Sequence, residues 1–134
     1  MRDALLVAVG GALGSVLRWA AVSGVARLPR AAGFPWGTLG VNVAGSFAIG
    51  FVLTLAFERG LVAPATRLFL VTGVLGGFTT FSAFSWETLV LVRDGHSLAA
   101  AGYVAGSVLG GLAAALLGSS LAARLGITVA SLAG

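Results

Sequence analysis

Long apolar runs alternate with short polar links along this chain. Residues 37–57, 68–86 and 97–123 carry no charge, and residues 4–26 are interrupted only by Arg18. Each run meets the roughly 20-residue length that a helix needs to cross the hydrocarbon core of a bilayer. The pattern predicts four spanning helices over 4–26, 37–57, 68–92 and 97–123, in a single transmembrane domain covering 1–134. The first run is read as a helix of the mature protein and not as a signal peptide, because three further spans follow and it is long and glycine-rich. The links at 27–36, 58–67 and 93–96 are short, so function must lie in the membrane part. Residues 127–134 follow Arg124, are too short to span again, and are expected to form a frayed or interfacial tail.

Composition fixes the class. Hydrophobic residues make up 58% of the sequence and charged ones 9%, and the mean hydropathy is +1.06. That is too little charge to coat a soluble domain, so the fold class is an all-α membrane protein. All eight basic residues are arginines, and every one except Arg18 stands near the end of a run, where long cationic side chains snorkel to the interface. No basic stripe is present, which argues against a nucleic-acid partner. The absence of cysteine removes disulfides, thiol chemistry and thiolate metal sites. His96 and Asp94 share a short loop with no positioned nucleophile or metal-ligand cluster, so an enzyme is not expected.

The arginines also bear on orientation. Four spans place Arg2, Arg59, Arg67 and Arg124 on one side and Arg27, Arg30 and Arg93 on the other. Such a balance orients a chain weakly; insertion in both directions is open, as is an orientation decided by one or two residues near the first helix. Four helices are few to enclose a pathway. Two copies in opposite directions would form an inverted repeat between subunits.

Helices associate in lipid through close approach of small residues. Gly10 and Gly14 in the first run, and Gly102, Gly106 and Gly110 in the fourth, recur at four-residue spacing and predict contact ridges. Polar residues inside the spans are costly unless paired or wet. Arg18 reads either as a side chain snorkelling to the nearer interface or as a cationic vestibule that concentrates anions. Thr38, Asn42 and Ser46 share one helical face, so Asn42 makes either an interhelical hydrogen bond or part of a polar pathway, with Thr38 extending the stripe towards solvent.

The third run holds Gly76-Gly77-Phe78-Thr79-Thr80-Phe81-Ser82-Ala83-Phe84-Ser85. Paired glycines and clustered hydroxyls weaken a lipid-facing helix, so this stretch belongs where backbone is buried in protein or lines a pathway. Phe81 and Phe84 point in nearly the same direction, with Glu87 and Thr88 continuing that side. Phenylalanines on a spanning helix usually face lipid, but here Thr79, Thr80, Ser82 and Ser85 surround them. Ring edges are positive, so edges turned into a narrow passage can hold a small anion. Glu87 is open to three readings: proton-coupled transport, pairing with an arginine, or marking the interface.

Three blocks carry a resemblance: Gly10-Gly11-Ala12-Leu13-Gly14-Ser15-Val16-Leu17-Arg18-Trp19, Gly37-Thr38-Leu39-Gly40-Val41-Asn42-Val43-Ala44-Gly45-Ser46, and Gly73-Val74-Leu75 followed by the third-run stretch and Trp86-Glu87. In sequence, order and spacing they resemble the signature blocks of the CrcB/Fluc fluoride channels, over essentially the whole chain. The resemblance implies an antiparallel, dual-topology homodimer in a bacterial inner membrane, with the third helix broken near its middle. It implies two pores that export fluoride passively from the cytoplasm and relieve its toxicity. By position in the blocks, Asn42 would be the pore amide, Phe81 and Phe84 the fluoride-contacting aromatic pair, and Arg18 the vestibule cation. Thr38, Thr80, Ser82 and Ser107 would supply hydroxyls along the pore, and Glu87 would stand near its entrance. The backbone carbonyls of Gly76 and Thr79, with the same atoms of the second subunit, would hold a structural sodium ion at the dimer interface; no organic cofactor is implied.

One departure stands out. Members of this family commonly carry a serine and a threonine four residues apart in the fourth helix, where this chain has Gly111 and Ala115; Ser107 lies one turn earlier. Fluoride chemistry agrees with the residues independently, since a small, strongly hydrated anion needs convergent donors to replace its water. The alternative is a small dual-topology, proton-coupled exporter of organic cations, which needs a carboxylate deep in the membrane and leaves Asn42 and the phenylalanines without a role. A packing or assembly subunit would use the glycine ridges but not the hydroxyl-aromatic run.

Overall fold

The computed structural model describes residues 1–27 and 33–132, with side chains through residue 125; Arg30 lies outside them. The described elements are helical, with no strand among them. Helix α1 (Arg2–Ala26) is followed by α2 (Trp36–Leu53), which continues as a π-helical turn, Thr54–Glu58. The third span opens as α3 (Pro64–Arg67), passes through π-helical Leu68–Leu75 and α4 (Gly76–Phe78), and resumes as α5 (Phe81–Arg93). Helix α6 (Ser97–Leu132) ends the chain's described structure. Four stretches are long and apolar enough to cross a membrane: Arg2–Ala26, Trp36–Glu58, Pro64–Arg93 and Ser97–Leu125.

Local chemistry sets the boundaries. Pro64 stands in the first turn of α3, where a missing N–H costs no intrahelical bond. Helix α5 closes with a Schellman arrangement: Gly95 takes φ +83°, its N–H donates to the Val92 carbonyl at 3.1 Å, and the His96 N–H donates to the Leu91 carbonyl at 2.8 Å. That turn needs only a few residues to reverse the chain into α6.

Packing follows the rule for lipid, where backbones that approach closely hold helices together. Gly10 and Gly14 are both buried on α1. A Cβ at Gly10 would lie 2.7 Å from the Phe69 carbonyl oxygen and 2.9 Å from Gly73 Cα, and one at Gly14 would overlap the Val74 carbonyl. The expected ridge on α1 is therefore the seam with the third span. The most extensive pairing joins α2 and α6. Here Gly50 lies against the Ala115 backbone and Gly118 against the Phe47 carbonyl, and Thr54 Oγ1 and Ser119 Oγ share a hydrogen bond of 2.8 Å.

Two expectations change. The α6 ridge meets α2 only partly: a Cβ at Gly110 would lie 3.4 Å from Val43 Cγ2 and one at Gly106 4.0 Å from Leu39 Cδ1, while one at Gly102 would meet open space. The tight crossing falls two turns further on, at Gly118, where α2 also offers a glycine. The tail expected to fray instead continues α6 to Leu132. Ile127–Leu132 contains no glycine or proline, so nothing in it stops a helix that is already nucleated.

Candidate functional site

The third span bends at two threonines. Thr79 (φ −80°, ψ 155°) and Thr80 (φ −151°, ψ 115°) are extended between α4 and α5. Such a bend inside a bilayer needs substitutes for the helical hydrogen bonds it loses, and side chains supply them. Asn42 on α2 accepts from the Thr80 N–H through Oδ1 at 2.8 Å and donates from Nδ2 to the Thr80 carbonyl at 3.0 Å. The backbone N–H fixes which end of the amide is oxygen. Thr80 Oγ1 then caps α5 by accepting from the Ala83 N–H at 3.2 Å, and sits 3.3 Å from Ser82 Oγ.

These exchanges have a counterpart on the acceptor side. In an uninterrupted helix the Thr80 N–H would serve the Gly76 carbonyl and the Ala83 N–H the Thr79 carbonyl. Both donors are taken, so both carbonyls are left without their usual partners.

A cavity of about 380 Å³ adjoins the bend. Its lining includes Asn42 and Ser46 from α2, Gly76 and Thr79 to Phe81 from the bend, Phe84 from α5, and Ser107 from α6. Nδ2 carries two hydrogens, and the Thr80 carbonyl uses one. The second remains for the cavity. Ser107 Oγ is buried with no hydrogen-bond partner among the described residues. Phe81 and Phe84 stand with ring centroids 5.5 Å apart, inclined by 46°, and Phe84 leans on Tyr103 at 5.2 Å. Phe81 is 79% exposed on the single chain, too open for a packing role within it.

A second polar group lies one helical turn beyond. Glu87 Oε1 accepts from Thr38 Oγ1 at 2.7 Å and Oε2 accepts from Tyr103 Oη at 2.6 Å. Of the three readings of Glu87, arginine pairing is absent among the described residues. The carboxylate is instead satisfied by two hydroxyls. Tyr103 is completely buried, and the pattern of polar residues did not single it out. A signal was available: a tyrosine inside a span needs a partner for its O–H, and Glu87 lies 16 positions earlier.

Of the residues singled out as a site, the cavity gathers Asn42, Thr80, Phe81, Phe84, Ser107, Gly76 and Thr79. Thr38 and Glu87 are joined to each other outside it, and Ser82 touches it only through Thr80. Arg18 is half-buried on α1, away from the cavity lining. Gly111 faces Ser46 Oγ, which a Cβ would meet at 3.3 Å, and Ala115 is occupied in the contact with Gly50.

A family profile described as "CrcB-like protein, Camphor Resistance (CrcB)" matches residues 5–119. The chain belongs to the CrcB family. Relatives of this CrcB protein include the "Fluoride-specific ion channel FluC" of Chlorobium chlorochromatii, 53% identical over 107 residues, covering 80% of this chain and 81% of the relative. Proteins of the same name from Rhizobium meliloti and Thermus thermophilus are 50% identical over 109 residues and 52% identical over 112 residues. They span 81% and 84% of this chain, and 86% and 88% of their own lengths respectively. The region matched by the family profile holds all the lining residues of the cavity.

Proposed function

We propose that this CrcB protein is a fluoride-specific channel, working passively as an antiparallel homodimer with two pores in a bacterial inner membrane. The donor set of the cavity carries the reading: the second amide hydrogen of Asn42, the free hydroxyl of Ser107 and the edges of Phe81 and Phe84. Relatives that bear the name of a fluoride-specific channel at about half identity support it. It is a multi-pass membrane protein and not an enzyme.

Fluoride gives up its water only where other donors converge on it. An amide held at both ends cannot swing away as the ion passes, so its second N–H is preorganised. Aromatic edges add positive potential without adding a fixed charge that would trap the ion. Chloride is larger, and a donor set held by backbone bonds cannot spread to fit it. HF crosses membranes as a neutral molecule and ionises inside a less acidic cell. An interior-negative potential then drives fluoride outward through a passive pore with no coupled energy source.

The remaining residues fall into place around this pathway. Thr38, Glu87 and Tyr103 form its polar entrance, Thr80 and Ser82 hold its wall, and Arg18 raises the anion concentration at a vestibule. The antiparallel copy is supported by the face that Phe81, Ser82 and Ser85 leave exposed, because hydroxyls turned to lipid cost free energy. The freed carbonyls of Gly76 and Thr79 are hard, uncharged oxygen donors that suit a sodium ion, and one chain supplies too few of them. The same atoms of a second copy would complete the set. The bend at Thr79 and Thr80 supports the break in the third helix that this arrangement requires. Glu87 is tied into the fold by two hydroxyls, which counts against its use as the exchanging carboxylate of an exporter.

The test is fluoride efflux from proteoliposomes, followed by an electrode with a potassium ionophore present. Rapid, chloride-insensitive efflux that collapses in Asn42→Ala and Phe81→Ile is expected. A folded protein without fluoride flux would sink the proposal.

A further inference from the structure

Two observations meet at Ser46. The residue lines the cavity together with Ser107 and Asn42, and the glycine facing it, Gly111, is so placed that a Cβ there would come within 3.3 Å of Ser46 Oγ. Resting on the fluoride reading above, we propose that Ser46 is an anion-contacting donor of this pore, and that its hydroxyl occupies the space that a side chain at position 111 would fill. The pathway beyond the phenylalanines then takes its hydroxyls from both facing helices, Ser107 on α6 and Ser46 on α2.

The chemistry permits Ser46 to turn. Its hydroxyl now donates to the Asn42 carbonyl at 2.8 Å, a bond back to its own helix. That carbonyl also accepts the helical N–H four residues on, within α2, so it is not orphaned when the hydroxyl rotates away. An anion arriving beside Asn42 offers a charge-assisted bond in exchange for a neutral one, and the exchange is favourable. Ser107 Oγ, buried and unpartnered among the described residues, needs no exchange at all. Its unmet donor in the same cavity is the independent sign that a ligand completes this end of the site.

The test separates the hydroxyl from the space it fills. Fluoride efflux from proteoliposomes is compared among the unmodified protein, Ser46→Ala, Ser46→Ala with Gly111→Ser, and Ser46→Ala with Gly111→Ala. Loss of a hydrogen bond to an ion should slow Ser46→Ala about tenfold or more. Gly111→Ser should restore efflux in that background by returning a hydroxyl from the opposite wall, and Gly111→Ala should not. Wild-type efflux in Ser46→Ala would overturn the assignment, as would equal rescue by Gly111→Ala, which would make position 46 a packing residue. If Ser46→Ala does not fold as the dimer, Ser46→Cys keeps the shape with a weaker donor; it should be slowed too, and unchanged flux in it would overturn the assignment equally. No flux in the unmodified protein defeats the fluoride reading itself, whereas flux indifferent to position 46 defeats only this one.

Discussion

Asn42→Asp tests the proposed pore role of Asn42 by setting a negative charge where its amide stands. The substitution preserves size and keeps an oxygen for the Thr80 N–H, now 2.8 Å away. It removes the donor to the Thr80 carbonyl, now at 3.0 Å, and the second hydrogen left for the cavity. The ionised form also sets a carboxylate oxygen against the Thr80 carbonyl where an N–H donated, so the lost bond, the repulsion of two acceptors and the charge taken into the span together cost about 3 kcal/mol or more. The anion is affected as well. A carboxylate about 4 Å from a passing fluoride repels it by about 4 kcal/mol at an effective dielectric constant of about 20. That corresponds to roughly a thousandfold in rate. The assay is electrode-monitored efflux in alkaline buffer, which favours the ionised carboxyl, beside a thermal melt in detergent. A large loss of flux is expected, beside a lowered melting temperature that reports the disrupted contact with Thr80. Efflux within about tenfold of the unmodified protein, against the roughly thousandfold loss expected, would refute the placement of Asn42 in the pathway.

Other perturbations probe separate parts of the arrangement. Phe81→Ile should abolish most flux while the single chain keeps its helical fold by circular dichroism, because the ring is 79% exposed on that chain and supports little of its packing; flux near that of the unmodified protein would count against a pore role. Tyr103→Phe should cost about 1–3 kcal/mol by leaving Glu87 Oε2 without its donor, read as a lowered melting temperature that Glu87→Gln does not worsen in the same background. Gly14→Ala would drive a methyl into the Val74 carbonyl, part α1 from the third span, and cost about 3 kcal/mol; normal expression and melting would refute that seam. Replacing sodium with N-methylglucammonium throughout purification should weaken the dimer, measured by subunit exchange, and an unchanged exchange rate would remove the cation from the proposal.

The four spans were legible because lipid demands uniform apolarity over a known length, and the pattern of charges respects that limit. The α1 seam was legible for a related reason: Gly10 and Gly14 leave no side chain to separate the backbones, and Gly11 approaches Gly77 beside them. The α6 seam was read too early in the helix, because Gly102, Gly106 and Gly110 match a spacing rule that says nothing of where the partner's own small residue lies. Gly50 decides that, and it is 68 positions from Gly118 in sequence. Tyr103 escaped notice because its importance is wholly relational. A hydroxyl's partner is set by the crossing of α5 and α6, which composition does not encode. The bend was hinted at by Gly76 and Gly77, yet the turn itself falls on Thr79 and Thr80, where side chains that can replace backbone bonds are found.

That displacement explains how the bend is tolerated. Glycines make a bend conformationally possible but provide nothing to satisfy the donors and acceptors it exposes, each of which costs several kcal/mol in hydrocarbon. Asn42 and the Thr80 hydroxyl satisfy the Thr80 and Ala83 N–H groups, so that part of the donor side closes within one chain. The acceptor side does not close in this way, since Gly76 and Thr79 retain carbonyls whose usual donors have been taken. In the proposed dimer, a second copy with a shared cation would resolve that imbalance. The same bond from Thr80 that immobilises Asn42 frees the Gly76 carbonyl, so the proposed pore donor and the proposed cation site would arise from one local exchange of hydrogen bonds. Loosening the clasp should therefore weaken conduction and dimerisation together.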